Sequence, residues 1–323
     1  MQHLDPVLLK SVILLLPMVA TGIAFIIKQP DYFQRVGLLL ALLFNIPYLF
    51  LLNALAAKAG WWIYQESSNN WRGIPIEVIL GWSVFWGVFL PWMFRSVNIT
   101  FTVLAGLAID LWFMPHMSSL FTLSDSWLIG ELFCCLLVLL PSLLIFKLTW
   151  KRKHVLTRAF IQSLIWGGWI VFLIPEIVLQ RDHSSMFDIF DMQPIRVILF
   201  LTGMAISMLI GYLALYEFAI RGLGTPIPFD PPQRLVTSGI YSVVANPLQI
   251  STTLMFICIM FAYQEYIMLL PIISMIIYTK IFVKWHHSID IEKRFGTSWI
   301  EYRSNVRNWL PVISRSARSQ CNV

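Results

Sequence analysis

Charge is what this chain has least of. Only 12% of its 323 residues are Asp, Glu, Lys or Arg, while 58% are hydrophobic and 15% aromatic. A soluble domain carries about twice that charged fraction. A chain so poor in charge cannot clothe a globular surface in polar groups, which excludes a water-soluble globule, and its apolar wealth excludes disorder. Cysteine is scarce too, with four in all. That excludes a disulfide scaffold, and none of the four has metal-ligand spacing. Cys134, Cys135 and Cys258 lie inside apolar runs, where a thiol behaves as a small inert hydrophobe. Cys321 stands third from the end, whereas a prenylation box needs it fourth, so no lipid anchor is expected.

What is present is a succession of long apolar runs. A spanning helix needs about 20 mostly apolar residues. About nine segments approach this: Val7–Ile27, Val36–Ala57, Ile74–Phe94, Val97–Met114, Trp127–Leu148, Ala159–Leu179, Ile195–Ile220, Leu248–Tyr263 and Tyr266–Val283. The first is too long for a signal-peptide core and reads as a span. Backbone groups in lipid must be satisfied within the segment, so these are helices. The expected class is therefore all-α, a polytopic membrane protein of about nine helices. Pro17, Pro47, Pro91, Pro141, Pro175 and Pro271 lie inside spans and predict kinks.

Charge sets the expected orientation. Lys147, Lys151, Arg152, Lys153 and Arg158 cluster without an acid, as a cytoplasmic loop does. The next loop holds Asp182, Asp188 and Asp191 against Arg181. Counting spans puts the loop from Arg221 to Val244 and the basic tail on the cytoplasmic side. The net charge of +6 thus belongs to membrane topology, and no nucleic-acid partner is expected. The lack of a cleavable leader agrees with a bacterial inner membrane.

Between the seventh and eighth spans stands Gly224-Thr-Pro-Ile-Pro-Phe-Asp-Pro-Pro232. Its prolines forbid a helix and hold the chain extended. Ser238-Gly239 reads as a turn. Asn246-Pro247 reads as a helix start, with Asn as cap and Pro at the first position. After the final hairpin come Asp290-Ile-Glu-Lys-Arg-Phe-Gly296, Tyr302 and Trp309-Leu-Pro311. The stripe Phe295, Trp299, Tyr302, Val306 has helical spacing and suits a tail helix lying on the membrane surface.

These pieces, in this order around two short spans, resemble the isoprenylcysteine carboxyl methyltransferase-like family, which includes phospholipid methyltransferases. The resemblance runs from Gly222 to Pro311. It implies S-adenosylmethionine bound on the cytoplasmic side and a lipid-soluble acceptor reached from the bilayer. It implies a pocket lined by Gly239, Tyr241, Asn246, Pro247, Gln249, His286 and His287, with Trp285 as a further aromatic neighbour. The cofactor carboxylate suits a helix N-terminus, and its adenine and sulfonium suit aromatic faces. Methyl transfer from a sulfonium needs alignment and exclusion of water, so no metal is expected. The chain departs from the family pattern at Ala245, where the family has Arg, and at Gln249, where it has Tyr. His287 and Ser288 stand where it has a pair of Glu.

The earlier spans hold Gly73-Ile-Pro-Ile-Glu77 through Trp82, and Ala108-Ile-Asp110 through Met117. Both are faintly similar to elements of carotenoid hydratase-type membrane proteins. An intramembrane acid is costly against lipid and should face inward. Asp110 in the fourth span and Glu131 near the start of the fifth are expected to do so, and Asp110 with Glu77, at the start of the third span, are the candidate substrate residues. The expected organisation is an N-terminal helical unit over 1–190 and a methyltransferase-like unit over 191–323. The leading expectation is S-adenosylmethionine-dependent methylation of an isoprenoid or lipid acceptor. The alternatives are a carotenoid or isoprenoid hydratase- or cyclase-type enzyme, and a non-catalytic protein that keeps the fold.

Overall fold

The protein is described here from a computed structural model covering residues 5–65, 70–225, 230–283 and 291–310. Among the described residues, seven helices are long and apolar enough to cross a membrane. They are α1 (Pro6–Ile27), α2 (Tyr32–Ala59), α3 (Ile76–Met93), α4 (Ile99–His116), α5 (Trp127–Lys151), α6 (Val155–Leu179) and α7 (Pro194–Ile220). Two shorter apolar helices follow, α8 (Pro247–Tyr263) and α9 (Tyr266–Ile281). An amphipathic helix, α10 (Glu292–Asn305), closes the described chain. The all-α polytopic class expected from composition is what the chain adopts. The strands are short: β1 (Trp62–Tyr64) pairs antiparallel with β4 (Phe121–Leu123), and β2 (Asn70–Trp71) with β3 (Ile74–Pro75).

Local chemistry explains the helix boundaries. Asp31 and Gln34 form a reciprocal capping box at the start of α2, and Gly60 ends that helix in the left-handed region. Asn98 caps α4 through its side chain. Three of the expected proline kinks take a particular form. A wide π-helical turn precedes each of three prolines: Phe85–Phe89 before Pro91, Cys135–Leu139 before Pro141 and Gly168–Leu173 before Pro175. Proline has no N–H to give the turn before it, and a wide turn accommodates that misfit. Pro17 and Pro47 are carried within regular helix.

The chain divides into two compact units. One comprises Met1–His154 with Ile161–Trp169, the other Val155–Phe160 with Ile170–Val323. In the first, α2 is the organising helix. Asn45 donates to Ser142 Oγ at 2.7 Å, and Trp169 Nε1 donates to the Leu43 carbonyl at 2.8 Å. Gly87 lets α3 approach α2 so closely that a Cβ there would stand 2.8 Å from the Leu42 Cα. Large apolar side chains such as Phe101, Leu136 and Trp112 are exposed, as a lipid-facing surface requires.

In the second unit, α7 and α8 pack along a seam of small residues. A Cβ at Gly203 would stand 2.6 Å from Cys258 Sγ, and one at Gly211 2.7 Å from Ser251 Oγ. Ser251 Oγ donates to the Ser207 carbonyl at 2.6 Å. Where lipid is as apolar as the helix, such close approach and interhelical hydrogen bonding are what hold helices together. Leu179, Phe256, Ile259 and Met268 fill the core behind that seam.

Candidate functional site

The sequence motifs of the second unit converge on the segment joining α7 to α8. Its first part is tied down at both ends. Thr225 N–H donates to the Asp230 carbonyl at 3.0 Å, and the Gln233 and Arg234 N–H groups both donate to the Gly222 carbonyl. Gly224 is required where it stands, because a Cβ would lie 2.5 Å from the Pro232 Cα. Asp230 is buried and forms an ion pair with Arg158 at 2.6 Å, its partner only 3% exposed. Arg294, from α10, donates to the Pro232 carbonyl. The proline run Pro226 to Phe229, expected to be extended, lies outside the described residues.

The second part hangs on Glu217, near the end of α7. Its carboxylate accepts from Ser238 Oγ at 2.9 Å and pairs with Arg221 Nε at 2.8 Å. Gly239 then turns the chain with φ +57° directly beneath that carboxylate. The turn expected at Ser238-Gly239 is present, and Tyr241 N–H donates back to the Ser238 carbonyl. Tyr241 is buried against Phe218, Ala214 and Val236.

The tail clamps this segment. Tyr302 Oη donates to the Tyr241 carbonyl at 2.8 Å, Ala245 N–H donates to the Arg307 carbonyl at 2.9 Å, and Asn246 Nδ2 donates to Asn308 Oδ1 at 3.3 Å. Trp299, Tyr302 and Val306 pack on Ala245, with Leu235 and Phe295 around them. The stripe read as a membrane-surface face is thus covered by the chain's own loop. Spacing alone shows that a helix has an apolar face, and not what that face meets. The same packing accounts for Ala245: a long arginine there would displace the Trp299 cluster. Gly296 breaks α10 with φ 53° and ψ −129°, a conformation only glycine adopts without strain.

Burial gives this clamp a pH signature. It pushes the Tyr302 phenol up to about 12 and the Tyr241 phenol well above its ordinary value. In the unfolded chain both ionise near pH 10. Between pH 10 and 12 the unfolded state therefore loses protons that the folded state keeps, so stability falls as pH rises through that window. Thermal unfolding of detergent-purified protein from pH 8 to 11 should show this decline. Tyr302→Phe should flatten it, and an identical slope in that variant would refute the assignment.

Most of the residues read from sequence gather here. Gly239, Tyr241, Asn246 and Pro247 lie on one continuous segment bound by Glu217 and the tail. Pro247 takes the first position of α8, as expected, but the Asn246 side chain does not cap the helix, having been drawn aside to Asn308. Gln249 is half-buried on the first turn of α8, its carbonyl accepting from Thr253 Oγ1. Trp285, His286 and His287 lie outside the described residues. Reading by motif passed over Glu217, Arg158 and the structural part of Tyr302. The only trace of the first was an acid within an apolar run.

The acids of the first unit are arranged otherwise than expected. Asp110 is 1% exposed and meets Glu131 and Cys135, not Glu77: the three ligating atoms lie within 4.8 Å of one another. Cys135, taken as an inert apolar thiol, is thus part of a polar cluster. Its spacing of one helical turn from Glu131 was the available signal.

The phospholipid methyltransferase family model matches residues 194–297. That match begins at α7 and takes in the clamped segment and the α8–α9 hairpin. No curated protein and no solved structure matches the chain.

Proposed function

We propose that the second unit is a membrane methyltransferase that binds S-adenosylmethionine and methylates a lipid-soluble acceptor, an isoprenoid or a phospholipid. The carrying observation is that the family match takes in a segment whose described residues are bonded to Glu217, Arg158 and the tail. Conformational freedom lost beforehand is not lost again on binding.

The residues present fit the cofactor at the start of α8. Among the described residues no side chain caps that helix, so its first N–H groups and the positive end of its dipole suit a carboxylate. Tyr241, Gly239 and Gln249 border that helix start in sequence, with His286 and His287 as the remaining candidates. Bound there, S-adenosylmethionine would supply an electrophilic methyl group on sulfur. The chain's part is to orient the acceptor in line with that methyl and to keep water out. The apolar surfaces of α8 and α9 suit an acceptor arriving from the bilayer.

The test is calorimetry on detergent-purified full-length protein with S-adenosylhomocysteine. Saturable binding is expected, at least tenfold weaker in Asn246→Asp, which puts a negative charge beside the helix end proposed to receive the ligand carboxylate. Absence of binding by well-folded protein would overturn the proposal. Labelled methyl transfer to phosphatidylethanolamine vesicles and to farnesylcysteine then separates the two acceptor classes.

A further inference from the structure

One end of the first unit gathers cations that the proposed methyl transfer does not use. Lys147 and Lys151 lie one helical turn apart at the end of α5, and Arg152 and Lys153 follow them. Like charges at that spacing destabilise a helix. Arg95 comes from the turn between α3 and α4, and Lys28 from the end of α1. Contacts across the unit draw these elements together. The Arg152 guanidinium lies over the Phe33 ring at 4.7 Å, so the end of α5 meets the start of α2. Lys147 Nζ donates to the Val97 carbonyl, which joins α5 to the α3–α4 turn. Phe25 and Trp92 meet edge to face at 5.7 Å, which joins the end of α1 to the end of α3. Arg95 lies over that same Trp92 at 4.3 Å and donates to its carbonyl at 2.8 Å. Among the described residues the single acid at this end of the unit is Asp31, and its carboxylate is engaged in capping α2. The opposite end mixes the signs, carrying Glu77 and Asp125 as well as Lys58 and Arg72.

Membrane topology asks only that cations lie on one side. It does not ask that separate turns bring them to one place, or that rings and carbonyls hold two of them there. Their mutual repulsion is a standing cost to the fold, and an anion among them removes it. Stacking on a ring fixes the direction of a guanidinium and leaves its charge intact, so Arg95 and Arg152 are ordered before any anion arrives. The surroundings say what kind of anion. Ile26, Ile27, Tyr32, Met93 and Val97 stand exposed around the cations, as side chains in contact with lipid do. A soluble anion would leave that apolar rim unused. A phospholipid of the surrounding leaflet matches both, with its phosphate level with the cations and its acyl chains along the rim.

We propose that this end of the first unit is a binding site for an anionic phospholipid, whose phosphate is held among Arg95, Lys147, Lys151, Arg152 and Lys153. The test is equilibrium binding of a fluorescent phosphatidylglycerol to delipidated full-length protein in nonionic detergent, competed by unlabelled compounds. Phosphatidylglycerol is expected to compete at least tenfold better than phosphatidylcholine of the same chains, and glycerol 3-phosphate is expected not to compete at equal concentration. Raising the salt from about 0.1 to about 1 M shortens the screening length from about 10 to about 3 Å and should shrink the preference. The paired variant Lys151→Gln, Lys153→Gln should lose most of it. Thermal unfolding of that variant in lipid-free detergent should hold level or rise, because repulsion is relieved. The pair Lys58→Gln, Lys293→Gln changes the net charge equally at exposed positions elsewhere and should keep the preference. Equal competition by the two lipids, displacement by glycerol 3-phosphate, or a preference indifferent to salt overturns the proposal. So does an equal loss in both paired variants, which would mean that net charge alone attracts the lipid. A lowered melting temperature in Lys151→Gln, Lys153→Gln also overturns it, since these cations would then serve the fold itself.

Discussion

Replacing Arg158 with alanine is expected to destabilise the protein by about 3–5 kcal/mol, because it strands a buried carboxylate. Arg158 and Asp230 are joined at 2.6 Å, with side chains 3% and 10% exposed. Asp230 also accepts, through its backbone carbonyl, the Thr225 N–H that closes the proline-rich segment. Losing the guanidinium therefore undoes more than an ion pair, since it loosens the base of the segment on which the proposed cofactor site stands. Thermal unfolding should drop on the order of 10 °C, at a few degrees per kcal/mol, and S-adenosylhomocysteine binding should weaken with it. The double variant Arg158→Met, Asp230→Leu should recover much of the lost stability, because the cost lies in the uncompensated charge and not in the absence of the pair. A single variant that melts within about a degree of the parent would show that water reaches this carboxylate.

Gly239→Ala is expected to act nearly as strongly, by about 3 kcal/mol in total. Two costs add. Alanine at φ +57° is strained, and its Cβ would stand 2.4 Å from Glu217 Oε1. Glu217 must then move, and with it go the bonds to Ser238 and Arg221. The control is Gly22→Ala in α1, where a Cβ meets nothing within 4 Å. That substitution should be neutral or stabilising by up to about 1 kcal/mol. Thermal unfolding of both variants checks the contrast. Equal effects would mean that the Glu217 contact does not constrain the turn.

The two acids singled out from sequence show where reading a chain in one dimension stops. Asp110 was legible as an inward-facing group, because a charge in an apolar run has no stable alternative. Its partner was not. Glu77 and Glu131 both lie near the start of a span, and hydropathy cannot tell which of two spans faces a third. The structure answers with Glu131, one turn from Cys135 on α5. Similarly, Ala245 is read from sequence as the loss of an arginine. Only the packing of Trp299, Tyr302 and Val306 over it shows what occupies the space.

The sequence by itself determined the all-α polytopic membrane class and the approximate places of the apolar helices. Those properties follow from a local requirement: each backbone in lipid must satisfy its own hydrogen bonds over a length set by the bilayer. It also carried the methyltransferase-like motifs in order, since a turn at Gly239 or a helix start at Pro247 is decided by neighbouring residues. Tertiary structure alone decided that Arg158 meets Asp230, that Tyr302 clamps Tyr241 and that Asp110 meets Glu131. These pairings join distant positions, and their energies depend on burial and on close approach, which exist only once the helices have packed.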